Sequence, residues 1–255
     1  MAIIALKAWY LEHYEPIADL EQRPYDLRLS KNSLLKSGLR ADFLDDSADV
    51  KQSAWFQRYL EGETVEFYIE GSGGYSIANI DLSSHEIYFT KRDVMANLEP
   101  TIFLCYQTDY PESSAILRSE LEQILDDLNT RSRLLLTLEE SHRLTDAPIR
   151  LNSTLMRKIR QSLLFIADGT PITLFEGDPP QIIPSPKVCV EVGYALQCKR
   201  AEQLLLVQQE RSDIPGQFPF DLPSHSRVVF KTAKELHRQL PQLVEAQLQR
   251  FNLFS

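Results

Sequence analysis

Glu191 is the residue whose surroundings in the sequence most favour chemistry. It lies in SPKVCVEVGYALQCK, where Ser185 and Pro186 predict the N-cap and the first residue of a helix. Apolar residues stand three before, one after and four after it, forming a stripe that must pack against a sheet. A carboxylate bordering such a stripe is only partly solvated, so it is suited to stabilise positive charge developing at a sugar carbon. The same spacing also fits an exposed glutamate near a helix N-terminus, which the helix dipole favours.

Polar side chains also stand where predicted strands end. The runs TIFLC and SLLFIA are each followed by polar residues, and a lysine opens the helix of Glu191. Ligands of doubly wound sheets bind beyond the carboxyl ends of the strands, so we expect these groups to meet at one rim. The lysine is expected to meet a phosphate near the helix N-terminus. These candidate binding residues are Tyr106, Gln107, Asp109, Asp168 and Lys187.

Strands and helices alternate after Pro100, which predicts an α/β domain with a five-stranded, mostly parallel sheet. The strands are short apolar runs, and amphipathic segments that predict helices separate them; the last helix spans 232–250. The predicted strands are 101–106, 133–138, 162–167, 203–208 and 227–230. We therefore predict one domain over 98–255.

The first part of the chain predicts a different, smaller module over residues 1–97. Alternating β-branched and aromatic runs separated by turn residues predict an antiparallel meander over 64–90, so the module is α+β. A short amphipathic helix is predicted over 51–60. The basic stretch 23–40 is interpreted as a solvated helix and turn.

The composition excludes several classes of function. A net charge of −9 argues against a nucleic-acid partner, because phosphate binding needs a positive footprint. The chain has 3 cysteines without CxxC spacing and 5 scattered histidines, so neither a disulfide frame nor a metal site is expected. No apolar run reaches the length of about 18 residues that a membrane span requires. These features predict a cytoplasmic protein with no membrane partner.

One segment resembles a known family. PSPKVCVEVGYALQCKRAEQLLLV is similar to N-V-x-x-E-L-G-Y-A-x-G followed by a strand, found in TIR effector domains and TIR-like nucleotide-binding proteins of bacterial defence systems. IFLCYQTDYPESSAILRSELEQIL resembles the first strand, loop and helix of a TIR domain, commonly written F-I-S-Y-S-x-x-D. The resemblance covers about 101–250, and its most specific part is the block from Glu191 to Ala195.

The resemblance implies a flavodoxin-like domain in which Glu191 is the catalytic residue of an NAD⁺ glycohydrolase. Tyr194, in the same block, joins the expected substrate-binding residues. NAD⁺ or another nucleotide is then the substrate, and no cofactor is implied. The resemblance also implies a homo-oligomer with a defence or signalling role, in which residues 1–97 act as a sensor or an assembly surface.

The sequence departs from the family pattern near the expected site. Lys187 stands where asparagine is usual, Val192 replaces leucine, and the first strand ends in Cys-Tyr-Gln instead of Ser-Tyr-Ser. Two alternatives therefore stay open. The domain is a non-catalytic nucleotide-binding or protein-interaction module, or it is an enzyme like the nucleoside 2-deoxyribosyltransferases, which share the E-x-G-Y-A block and act on the same bond.

Overall fold

The computed structural model describes residues 5–35, 37–92, 95–142, 153–218, 223 and 226–254. The chain divides into two compact units, Met1–Leu98 and Glu99–Ser255. None of the described helices is long and apolar enough to cross a membrane.

In the described part of the first unit, six antiparallel strands close into a barrel in the order β1-β2-β3-β6-β5-β4. Inward-facing leucines, phenylalanines and a tyrosine fill its core. Two helices pack on that core, Ser47–Gln52 through Val50 and Ala54–Leu60 through Trp55 and Phe56. The Trp55 ring meets Phe67 edge-on at 5.2 Å. The elements are β1 (Ala5–Tyr10), α1 (Ile17–Leu20), β2 (Leu27–Leu35), β3 (Gly38–Phe43), α2 (Ser47–Gln52), α3 (Ala54–Leu60), β4 (Glu66–Ile69), β5 (Gly73–Asp81) and β6 (Glu86–Lys91).

The predicted meander is present as β4–β6, but it is half of this barrel, and the predicted helix and turn over 23–40 is wrong. That stretch forms β2 and the start of β3. Leu27 and Leu29 are buried on either side of the outward-facing Arg28, which is the alternation of a strand with one face in a core. The three arginines of this stretch form ion pairs: Arg23 with Glu15 and Asp26, Arg28 with Asp45, and Arg40 with Glu86.

In the second unit, the described strands include a five-stranded parallel sheet in the order β13-β12-β9-β7-β8, which confirms the predicted sheet. The chain moves from β7 outward to the edge strand β8, then returns across β7 to β9. The direction of winding therefore reverses between β7 and β9. The elements are β7 (Glu99–Cys105), α4 (Pro111–Asn129), β8 (Thr137–Glu140), α5 (Ser153–Gln161), β9 (Ser162–Asp168), β10 (Pro171–Phe175), β11 (Gln181–Pro184), α6 (Pro186–Cys198), β12 (Leu204–Gln209), β13 (Arg227–Phe230) and α7 (Ala233–Gln249).

Helices cover both faces of the sheet. Alternate residues of β7 and β9, such as Phe103 and Phe165, pack with α5 and α6 in one buried cluster. Helices α4 and α7 contact each other and several strands of the sheet. Because successive side chains of a strand point to opposite faces, a central strand covered on both faces is buried at every position, as β9 is.

Two local predictions differ from the structure. The second strand begins at Thr137 and not at residue 133, because Leu135 is 71% exposed and the Asn129 side chain takes both backbone hydrogen bonds of Leu136. The loop predicted after the third strand contains an antiparallel hairpin, β10–β11.

Candidate functional site

Asp168 is the centre of a buried polar network at the carboxyl end of β9. Its Oδ2 atom accepts hydrogen bonds from the hydroxyls of Ser113 and Ser114, each at 2.6 Å, and its Oδ1 atom accepts from the Thr170 backbone N–H at 3.0 Å. Both serines lie in the first turn of α4, where the helix dipole favours a negative charge. The carboxylate therefore fixes the start of α4 from inside the protein, and its oxygens are already occupied.

Gln107, directly after β7, joins this network. Its backbone N–H donates to Ser114 Oγ at 3.0 Å, and its side-chain Nε2 donates to the Thr170 carbonyl at 3.0 Å. The residue is 1% exposed, and its Oε1 atom has no hydrogen-bond partner among the described residues. A buried acceptor without a donor costs about 1–3 kcal/mol. Gln107 thus carries an unmet acceptor between β7 and β9, where the winding reverses and ligands of such sheets bind.

Asp109 connects the loop after β7 to the start of α6. Ser185, the N-cap residue of α6, donates its hydroxyl to Asp109 Oδ2 at 2.7 Å and makes no side-chain capping bond to the helix. The predicted helix start at Ser185 and Pro186 is present, but the serine hydroxyl binds Asp109 in the loop after β7 instead of capping the helix. Lys187 in the first turn is half-buried and forms no ion pair with any residue that the structure describes.

Glu191 is fully buried on α6. Its Oε2 atom accepts a hydrogen bond of 2.5 Å from the hydroxyl of Ser141, and the Ser141 backbone N–H donates to the Leu104 carbonyl at 3.0 Å. This places the carboxylate beside the carboxyl ends of β7 and β8. With no exposed surface, Glu191 does not contact a molecule in solvent in this conformation.

The two tyrosines among the predicted site residues lie apart. Tyr106 is half-buried, with the Arg118 guanidinium 5.0 Å from its ring centroid. Tyr194 lies one helical turn beyond Glu191, further from the strand carboxyl ends, and packs against the buried cluster of α5 and α6. Burial raises the pKa of the Tyr194 hydroxyl. The rim thus gathers Gln107, Asp109, Asp168 and Lys187, whereas Tyr194 is a packing residue.

Arg211 is a rim residue that sequence reasoning missed. It follows β12 and donates to the Pro171 carbonyl at 3.1 Å, and its guanidinium lies 4.6 Å from the Tyr110 ring centroid. It therefore joins the loops after β7, β9 and β12. Its position just beyond the fourth predicted strand could have indicated it. Ser141 could have been found in the same way, because it follows the second predicted strand.

Two cysteines are candidates for a reactive thiol, and acidic side chains among the described residues are candidates for a metal site. Burial raises the pKa of Cys189 and of Cys198, which lowers the fraction of reactive thiolate. Within the described ranges, no three His, Cys, Asp or Glu side chains are grouped to hold a metal ion.

Comparisons with known proteins add little to this geometry. No protein family and no curated protein matches the chain. Among solved structures, a metal-soaked flavodiiron core from Synechocystis sp. is similar to 60% of the chain at 14% identity, with a TM-score of 0.32. The match spans 35% of that protein's own chain.

Proposed function

We propose that residues 99–255 bind a nucleotide at the carboxyl rim of the parallel sheet, beside Gln107. The unmet Oε1 acceptor of Gln107 carries the proposal, because a ribose hydroxyl or a base amino group would supply the missing donor. Since Gln107 is 1% exposed in the described conformation, the surrounding loops must open for the ligand to reach it. Lys187 and the uncapped first turn of α6 provide positive charge for phosphate next to the Asp109–Ser185 contact.

The strand order supports this location. The five strands lie in the order second, first, third, fourth, fifth, which is that of flavodoxin-like sheets, and such sheets bind ligands where the order reverses. This order supports our proposal that the domain is flavodoxin-like and TIR-like. The role of Asp168 in this proposal is positioning, since Ser113, Ser114 and Thr170 occupy its oxygens.

Binding is tested by thermal shift and calorimetry of the full chain with NAD⁺, ADP and adenosine. We expect the melting temperature to rise with at least one of these, and Gln107→Leu to weaken binding about tenfold through loss of one buried hydrogen bond. Gln123→Leu on the exposed side of α4 is the matched control and should bind normally. If none of the three compounds stabilises the protein, nucleotide binding is wrong.

A second function, cleavage of the nicotinamide–ribose bond of NAD⁺, is favoured by the burial of Glu191. Withdrawing a carboxylate from water costs free energy, and a buried carboxylate close to the rim of a parallel sheet is a candidate for a functional group. In this reaction water adds to the ribose carbon, nicotinamide leaves, and Glu191 stabilises the oxocarbenium-like transition state. The described conformation must first separate Glu191 from Ser141.

Nicotinamide release from NAD⁺ tests this second function. We expect little release by the full chain, faster release by Ser141→Ala, which removes the Ser141 hydrogen bond to the carboxylate, and none by Ser141→Ala combined with Glu191→Gln. Base exchange between nucleosides in the same assay would indicate a deoxyribosyltransferase instead. A Ser141→Ala variant that binds NAD⁺ but releases no product would leave binding as the function.

The other parts of the proposal concern assembly. We propose a homo-oligomer in which the barrel unit acts as a sensor or assembly surface, in a defence or signalling role. Light scattering with and without NAD⁺ measures the oligomeric state.

A further inference from the structure

Arg211 has an arrangement that differs from that of an ordinary surface arginine. Its side chain is 19% exposed, and its Nη1 atom is tied to the Pro171 carbonyl. The stack on Tyr110 adds a cation–π contact. These contacts hold the guanidinium in one place at the rim, on the loop after β12.

The remaining edge of the guanidinium faces a carboxylate. Nε donates to Asp213 Oδ1 at 3.1 Å and Nη2 donates to Oδ2, so Asp213 takes both donors in a two-point contact. The Asp213 side chain is 63% exposed. An ion pair whose carboxylate is exposed, between residues two apart in the chain, contributes little to stability and is easily opened from the side of Asp213. The fork geometry is also the one by which arginine binds two oxygens of a phosphate.

The stacking partner of Arg211 leads directly to the proposed nucleotide site. Tyr110 follows Asp109, whose carboxylate holds Ser185 at the start of α6, and Gln107 lies three residues before Tyr110. Tyr110 is itself the N-cap residue of α4, and its side chain makes no capping bond. Arg211 is thus connected through one short loop to the residues beside which the nucleotide is proposed to bind.

We propose that Arg211 binds a phosphate of the ligand, and that Asp213 occupies the same two donors when no ligand is present. This inference rests on the proposed nucleotide site and names its phosphate contact. Asp109 and Glu112 also lie on the loop and first turn that carry Tyr110, so a positive charge fixed at Arg211 is needed there to offset their repulsion of an anion.

The test compares ADP with adenosine on the full chain by calorimetry. Arg211→Gln should weaken ADP at least tenfold, because two charge-assisted hydrogen bonds are lost, and should leave adenosine unchanged. Asp213→Asn should tighten ADP about two- to fivefold, which is the value of an exposed ion pair that no longer competes. A damaged fold does not tighten binding, so this second variant separates the phosphate role from a structural role.

The outcomes distinguish the two proposals. If none of NAD⁺, ADP and adenosine binds the unaltered chain, the nucleotide site itself is wrong. If only NAD⁺ binds, its affinity is compared in the same two variants in place of that of ADP. If ADP binds, but Arg211→Gln leaves its affinity unchanged or Asp213→Asn does not tighten it, the nucleotide site stands and the role of Arg211 is overturned. Weakening of ADP and adenosine to the same extent by Arg211→Gln would likewise assign Arg211 to loop structure alone.

Discussion

The Lys199 ammonium lies at the amino-terminal end of β9. Among the described residues, no carboxylate lies within ion-pairing distance of Lys199. Its ammonium donates to the carbonyl of Arg160 at 3.0 Å and to that of Ser162, at the end of α5. Carbonyls at a helix C-terminus favour a cation. The residue is only 9% exposed, however, and this burial lowers the pKa of Lys199 to about 8.

This pKa predicts a pH dependence of stability. The unfolded value is near 10.5, so between pH 8 and 10.5 the unfolded state binds more protons than the folded state, and stability rises with pH. At about 1.4 kcal/mol per pH unit, the full effect is about 3 kcal/mol. Below pH 8 the cost of burying the charge is fully present.

Denaturant titrations at pH 7 and pH 9.5 check this prediction. The same change in unfolding free energy between pH 7 and pH 9.5 is measured for Lys199→Met, whose side chain cannot titrate. Subtracting it removes the contributions of tyrosines and cysteines. We expect the unaltered chain to gain about 2 kcal/mol relative to the variant. Equal changes in both proteins would mean that the folded lysine keeps its ordinary pKa.

At the same scale, the sequence located the candidate rim better than it assigned roles within it. Strand ends are recognisable from apolar runs, so Gln107, Asp109 and Asp168 were found. Whether a carboxylate faces solvent or a neighbouring hydroxyl depends on side chains distant in sequence, as Glu191 and Ser141 show. Periodicity carries no information about such pairs.

At the scale of elements, the start of helix α4 depends on Asp168, which lies at the end of strand β9. Asp168→Asn keeps the side-chain shape but turns an amide donor toward a hydroxyl or N–H donor. Because charged hydrogen bonds to Ser113 and Ser114 are affected, we expect a loss of about 3 kcal/mol in unfolding free energy. Asp126→Asn on the exposed side of α4 is the control and should change stability by less than about 0.5 kcal/mol. Urea denaturation measures both, and equal stabilities would show that Asp168 does not hold α4.

Replacing either of two glycines by alanine is expected to change stability, with opposite sign at the two positions. A Cβ on Gly38 in β3 would lie 2.6 Å from the backbone oxygen of Phe89, so Gly38→Ala should destabilise the barrel by about 2 kcal/mol. A Cβ on Gly193 in α6 meets no described atom within 4 Å, so Gly193→Ala should stabilise the helix by about 0.5–1 kcal/mol. Thermal denaturation checks both signs. If Gly193→Ala weakens nucleotide binding while raising stability, the glycine serves the close approach of a ligand.

Elements were predictable where a single period governed a long run. The parallel strands and α4 follow this rule, since each is apolar over many residues or on one stripe. Strand β2 was missed because its outward-facing basic residues suggested a helix, although Leu27 and Leu29 alternate with them. The β10–β11 hairpin is rich in proline and glycine, whose composition indicates a loop without showing that its arms pair. Closure of the barrel joins β1 to β4, a long-range pairing that no local pattern specifies.

At the scale of the whole molecule, each unit has a hydrophobic cluster and a hydrogen-bonded sheet of its own. A domain with its own core is expected to fold alone. We therefore expect a fragment spanning 99–255 to show the circular dichroism of a folded α/β protein and to unfold cooperatively. The residues proposed to bind the nucleotide, Gln107, Lys187 and Arg211, all lie in this fragment.

The fragment should then bind ADP within about twofold of the full chain, since the described hydrogen bonds of Gln107, Asp109 and Arg211 at the rim lie within 99–255. Calorimetry on both proteins under the same salt conditions measures this. A fragment that is folded but no longer binds would show that residues 1–98 contribute directly to the site. In that case the barrel is needed for binding, and the signal sensed by the barrel would be the nucleotide.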